Sequence, residues 1–153
     1  MSVSFPLPGD LLPHRAPMLL LRAVLAHRSE ETRCEGWFDD AFAQACGGAV
    51  PAAFGLELIA QAAAVHHGLR RQAGGNAPDP AARGLLLGSR RLALGSRSLP
   101  VNEVLTVTVF DGGQEPGPGG LIRFEGRVKD AAGRTLASGD ATVLEWRPDA
   151  LPA

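Results

Sequence analysis

Between Phe54 and Val65 only Glu57 and Gln61 interrupt a run of apolar and small residues, too long for one strand and without the polar face of a surface helix. The pattern predicts a buried helix from Pro51 to about Arg71. Pro51 suits the first helical position, where a fixed φ and a missing N–H cost little. Polar character returns only at His66, His67, Arg70 and Arg71, and Gly74, Gly75, Asn76 and Pro78 then stop the helix. Such a helix needs a wrapping, and the chain after it offers four stretches of strand character: Gly84 to Leu94, Val101 to Phe110, Leu121 to Val128 and Thr135 to Trp146.

The connections are read from their punctuation. Gly112 to Gly120 is dense in glycine and proline and predicts a hairpin tip, and Lys129 to Gly133 predicts a tight turn. Ahead of the helix, Leu7 to His14 holds two prolines, a glycine and an aspartate around Leu11 and Leu12, which suits a short helical turn. Pro17 is expected to open a strand. Met18 to Leu25 is apolar and His27 to Phe38 alternates loosely, so a long first hairpin or bent strand should follow, with the small, glycine-containing Ala41 to Val50 as a flexible connection. One buried helix with a meander of closely connected strands is an α+β layout: a long central helix wrapped by an antiparallel sheet of about five to six strands.

A chain of 153 residues fits one domain spanning 1–153, able to bury roughly 70% of its unfolded surface. Fifteen basic against sixteen acidic residues leave a net charge of -1, so no bulk field gathers nucleic acid and any basic patch must be local. Two cysteines, Cys34 and Cys46, are too few for a disulfide framework, and the opening residues lack a secretory layout, so a cytoplasmic location is expected. Ala49 to Val65 falls short of the ~20 residues of a bilayer span, so none is expected. No CxxC pair, HExxH, nucleotide-binding glycine loop or Gly-x-Ser-x-Gly is present, which leaves metal, nucleotide and serine-hydrolase chemistry without support; neither a metal nor a cofactor is expected.

Four places carry a family resemblance, of which the closing strand pattern agrees without adding specificity. Leu12-Pro13-His14-Arg15 leads to Pro17, Leu19 and Leu20; Pro51 precedes Glu57-Leu58-Ile59-Ala60-Gln61; and Leu99-Pro100-Val101-Asn102-Glu103 opens a later strand. Together they resemble the hotdog-fold 3-hydroxyacyl-acyl-carrier-protein dehydratases, from about Leu11 to Glu145. The run PAAFGLELIAQ is similar to the divergent subgroup found with aryl-polyene and related pigment pathways. The family carries an aspartate where this chain has Arg22, and its Gly-His-Phe-Pro loop ahead of the helix is replaced by Phe42-Ala43-Gln44-Ala45-Cys46-Gly47-Gly48, with Cys46 at the counted place of the histidine. The resemblance implies a hotdog fold, pairing edge to edge with shared active sites, and dehydration of a 3-hydroxyacyl thioester on acyl carrier protein in fatty-acid-like or polyene biosynthesis.

That reaction needs a base for the C2 proton, an acid for the departing hydroxyl and donors for the thioester oxygen. Glu57 is the candidate carboxyl; its apolar surroundings predict a raised pKa, hence a proton donor, although a glutamate here could equally stabilise the helix N-terminus. Gln61, one turn on, can hold Glu57 or a substrate oxygen. The amides of Ala52 and Ala53 are candidate oxyanion donors, and Cys46 a candidate substrate contact. The base is His14 or a histidine from a partner chain, in a homodimer or with a different hotdog subunit. His14 has the alternative of anchoring the N-terminal segment, and His66 and His67 are expected in surface or dipole-complementing roles. Arg90, Arg91 and Arg97, with Arg70 and Arg71, are either a docking patch for acyl carrier protein or solvated strand-edge arginines. Rival readings are a hotdog thioesterase and a half-site subunit completing a partner's active site.

Overall fold

The computed structural model describes residues 3–75, 83–111 and 120–146. Along the chain these form α1 (Pro8–Leu11), β1 (Leu21–His27), β2 (Glu31–Gly36), α2 (Asp40–Ala45), β3 (Val50–Pro51), α3 (Phe54–Ala73), β4 (Arg83–Gly88), β5 (Leu92–Leu94), β6 (Ser98–Leu99), β7 (Leu105–Phe110), β8 (Leu121–Lys129) and β9 (Thr135–Trp146). The main sheet has seven strands in the order β1-β2-β7-β8-β9-β4, with β5 also paired to β9; β3 and β6 make a separate two-stranded ladder. All these pairings are antiparallel. This is the hotdog arrangement.

The helix α3 reads as apolar nearly all round in the sequence, and the sheet covers one side of it, leaving Leu56, Ala60 and Ala64 half-buried. Leu58, Ile59, Ala62, Ala63 and Val65 are fully buried and meet Leu105, Val107, Val109, Val128, Ala137 and Ala141 in one cluster. Burying a Leu or Ile side chain contributes about 1.5–3 kcal/mol, so this contact holds the helix in place. The close approach depends on two glycines. A Cβ on Gly126 would stand 2.6 Å from Ile59 Cγ2, and one on Gly55 would stand 2.6 Å from the Ala137 Cβ. In β8 the alternation of buried and exposed positions is strict, the mark of a strand with one face on the core.

Several boundaries differ from expectation for physical reasons. Helix α3 starts at Phe54, because Pro51 instead ends the short strand β3, opposite Ser98, and Ala52 and Ala53 form the turn into the helix. Strand β1 begins at Leu21 rather than at Pro17, which lies in the preceding turn. The stretch read as one strand from Gly84 divides into β4 and β5 around residues 89–91, which gives the main sheet seven strands. Asn102 takes a left-handed φ of 58°, and its N–H donates to Phe38 O at 2.8 Å, so residues 101–104 bend and β7 opens only at Leu105. The expected connection before Pro51 contains α2, capped by Asp39 Oδ1 accepting from Phe42 N at 2.8 Å. Phe42 thereby joins Phe38 and Phe54, with ring centroids 5.0 and 5.1 Å away. The opening helical turn, the 130–133 turn and β9 stand where expected; the proposed tip at 112–119 and the stop signals at Asn76 and Pro78 lie outside the described residues.

The far end of α3 holds a buried polar chain. His66, only 1% exposed, has Asp111 Oδ2 at 2.7 Å from Nε2 and Thr32 Oγ1 at 2.7 Å from Nδ1. Arg70 donates to the same Asp111 oxygen at 2.7 Å, so that oxygen is an acceptor and His66 Nε2 carries a proton. Nδ1 then accepts from the Thr32 hydroxyl, whose oxygen accepts from His27 Nδ1 at 2.8 Å. This arrangement needs the His66 imidazole neutral, whereas His27 needs only a proton on Nδ1. Burial lowers the pKa of His66, opposed by Asp111 and assisted by Arg70 and His67; His27 is lowered by burial, His66 and Arg70 against Asp111. Because both folded values lie below the ordinary 6.5, the unfolded chain binds more protons in that window. The contribution is therefore complete above about 6.5 and lost as pH falls through the folded values. Thermal melts between about pH 8 and pH 5 should show Tm declining on the acid side, and more shallowly in a Thr32→Val variant.

Candidate active site

The N-terminal segment reaches α3 through a few specific bonds. Arg15 Nη1 donates to the carbonyls of Leu12 and His14, at 2.9 and 2.7 Å, while Met18 N and Leu19 N donate back to Arg15 O. This compact loop is fastened to the helix by Gln61, 1% exposed, whose Nε2 donates to Met18 O at 2.7 Å and whose Oε1 accepts from Leu20 N at 3.0 Å. The same Nε2 donates to Glu57 Oε1 at 3.0 Å. Gln61 therefore sets both the loop and the carboxylate, a wider task than holding Glu57 alone.

The loop places His14 over Glu57. His14 Nε2 lies 3.4 Å from Glu57 Oε1, and the two side chains are 29% and 28% exposed, so the pair stands at the edge of the core with solvent access. His14 Nδ1 is buried and has no hydrogen-bond partner among the described residues, so Nε2 is the nitrogen that faces Glu57. The pKa of Glu57 moves in the direction opposite to that expected. Burial pushes it up as the largest single cause, but the hydrogen bonds from His14 and Gln61 and the charge of His14 together outweigh burial and hold it below its usual value. Glu57 is accordingly a carboxylate at neutral pH rather than a resting proton donor.

Of the two proposed oxyanion donors, Ala52 is withdrawn: its N–H donates to Arg97 O at 3.0 Å, a consequence of the β3–β6 pairing beside it. Ala53 is exposed, and neither its N–H nor that of Phe54 meets a backbone acceptor among the described residues. These amides, at the positive end of α3, remain available to an anion. Cys46 caps α2, half-buried against the core, and no hydrogen bond or ion pair among the described residues joins it to the pair. Arg70 belongs to the Asp111 cluster, whereas the side chains of Arg90, Arg91 and Arg97 are exposed. Arg22, in place of the family's aspartate, stacks on Trp37 at 3.9 Å and pairs with Glu35 at 2.6 Å. His66, expected in a surface or dipole-complementing role, is instead buried, which the sequence did not signal because its partners Thr32 and Asp111 are 34 and 45 residues away and each is unremarkable alone.

A family model described as "ApeP-like: ApeP dehydratase" matches residues 6–151. The chain belongs to this family. It is accordingly an enzyme of the ApeP-like dehydratases, and the Glu57–His14 pair is its candidate active site. Among solved structures it resembles the dehydratase heterocomplex ApeI:P from Xenorhabdus doucetiae, at 24% identity over 95% of this chain and 94% of the other, with a TM-score of 0.81. The fold is shared more distantly with a hypothetical thioesterase from Streptococcus pneumoniae TIGR4 (13% identity, 81% and 84% coverage, TM-score 0.55) and with AziG from S. sahachiroi (14%, 90% and 98%, 0.58). No curated protein matches. Among the described residues no helix is long and apolar enough to cross a membrane.

Proposed function

We propose that this ApeP-like chain dehydrates a 3-hydroxyacyl thioester carried on the phosphopantetheine of acyl carrier protein, in cytoplasmic fatty-acid-like or polyene biosynthesis, without a cofactor of its own. The observation that carries the reading is the approach of His14 Nε2 to Glu57 Oε1 at 3.4 Å, on the first turns of α3. The competent form is an imidazolium beside a carboxylate. Glu57 takes the C2 proton, and the charge that develops on the thioester oxygen is met by the Ala53 amide. As the C2=C3 bond forms, the C3–O bond breaks and His14 Nε2 delivers its proton, so the hydroxyl leaves as water. One proton passing from the Glu57 carboxyl to His14 restores the pair. This assigns Glu57 and His14 the reverse of the acid and base roles expected from sequence.

Incubation with 3-hydroxyacyl carrier protein should yield the 2-enoyl thioester, detected by mass spectrometry as a loss of water from the carrier-bound species. Release of free acid would instead select the thioesterase reading, in which the ionised Glu57 directs water at the carbonyl. His14→Ala should lower kcat by about 10²–10⁴-fold, the usual contribution of a positioned proton-transfer group; an unchanged rate would assign the imidazole to anchoring only.

The likeness to a heterocomplex supports a hotdog partner. Strand β4 ends the sheet, and Leu85, Leu86 and Leu87 on it are 45%, 37% and 56% exposed, an apolar edge suited to another strand. Its occupant in this reading is a second hotdog chain, either a copy of this one or a different subunit. A purified chain that is inactive until a second hotdog protein is added selects the half-site form.

A further inference from the structure

The turn between β4 and β5 is held by one carboxylate. Asp140 Oδ1, on β9, accepts from the N–H groups of Arg90 and Arg91, both at 2.9 Å, and lies 3.1 Å from Ser89 Oγ. Asp140 N donates in return to Arg91 O at 3.1 Å. Beneath the turn sits Gly139, where any Cβ would collide with the Arg91 carbonyl oxygen. The backbone at residues 89–91 is thus fixed to the sheet, while the Arg90 and Arg91 side chains are exposed.

Strand register places this turn near the site. Leu92, Ala93 and Leu94 pair with Gly139, Ser138 and Ala137, and Ala137 packs on Gly55 in the first turn of α3. Asp140 lies three strand positions from Ala137, about 10 Å. The next turn of chain brings Arg97, whose carbonyl binds Ala52 N. Arg97 therefore stands beside the end of the helix that carries Ala53 and Glu57, and the 89–91 turn lies about 10 Å along β9 from that end. A carboxylate at this position subtracts from the positive field of its neighbours, so its use lies in geometry rather than in charge.

We propose that Asp140 is a positioning residue which holds the 89–91 turn so that Arg90 and Arg91 meet the acidic surface of the acyl carrier protein. The inference rests on the carrier-bound substrate assigned above, and its test separates the two. Binding of a fluorescently labelled 3-hydroxyacyl carrier protein to the assembled enzyme is measured alongside turnover of a carrier-free pantetheine thioester. Asp140→Ala should raise the carrier Kd about three- to tenfold, although it makes the surface more positive, and leave carrier-free turnover unchanged. Asp140→Asn keeps the Oδ1 acceptor and should stay within about twofold of the parent. Gly139→Ala pushes the turn off β9 with every charge retained; it should give the same loss, and serves if Asp140→Ala does not fold. Carrier binding by Asp140→Ala that is unchanged or tighter overturns the proposal, as does an equal loss on the carrier-free substrate. The double reversal Arg90→Glu with Arg91→Glu tests docking itself: no loss there sinks the underlying docking assignment, whereas loss there with a neutral Asp140→Ala sinks only the positioning role.

Discussion

Glu57→Gln should cut turnover of the 3-hydroxyacyl thioester by about 10³-fold or more while leaving the melting temperature within a few degrees of the parent. The substitution preserves shape. A glutamine at this position still presents a carbonyl oxygen to Gln61 Nε2, now 3.0 Å from the carboxylate, and the side chain is only half-buried, so little packing is lost. What disappears is the carboxylate that would accept the C2 proton and that lies 3.4 Å from His14 Nε2. Because His14 and Glu57 would exchange one proton in the proposed reaction, their effects should not add: the double variant His14→Ala with Glu57→Gln should be scarcely slower than the worse single variant. Single-turnover assays with saturating enzyme isolate the chemical step. Retained activity in Glu57→Gln would remove the carboxylate from the mechanism, and additive losses would separate the two residues into independent roles.

His66→Ala should be the most damaging change to stability, about 3–5 kcal/mol, and for a domain of this size that corresponds to a fall in Tm on the order of 10 °C. The histidine is almost completely enclosed and bonded on both nitrogens. Its removal leaves the Thr32 hydroxyl and one side of Asp111 without their partner, and it opens a space beside Phe124, whose ring is 5.8 Å away. The His66 backbone is nine residues beyond Glu57, about 13 Å along the helix, so the catalytic pair should be untouched. Below its lowered melting point the variant should show parental kcat. A Tm change of less than about 2 °C would mean that the buried chain of hydrogen bonds contributes nothing net, and a large fall in kcat would tie this cluster to the chemistry.

The central helix was legible because its evidence is local and repeated: twelve residues with two polar interruptions admit few other readings. Its first residue was not. Proline is acceptable both at a helix start and at the end of a short strand, and the choice was made by Ser98 and Leu99 arriving across from Val50 and Pro51. The same holds at residues 89–91, where an apolar run with two arginines reads as one strand until Asp140 captures the two amides and turns the chain. Helix α2 was missed although Asp39 is a good capping residue, because small residues and glycines around it carry no period long enough to register.

At the active site, sequence alone established that a glutamate and a glutamine share one stripe of an otherwise apolar helix, and that a histidine sits in a proline-restricted segment far upstream. That these meet, and that Glu57 is held ionised, was decided by the tertiary structure. Gln61 reaches back 43 residues to Met18 O and 41 to Leu20 N, carrying His14 onto Glu57. Burial estimated from the helix alone argues for a raised carboxyl pKa; two hydrogen bonds delivered by folding reverse it. Periodicity is a property of neighbours along the chain, whereas proton affinity depends on which distant donors the packed core brings within about 3 Å.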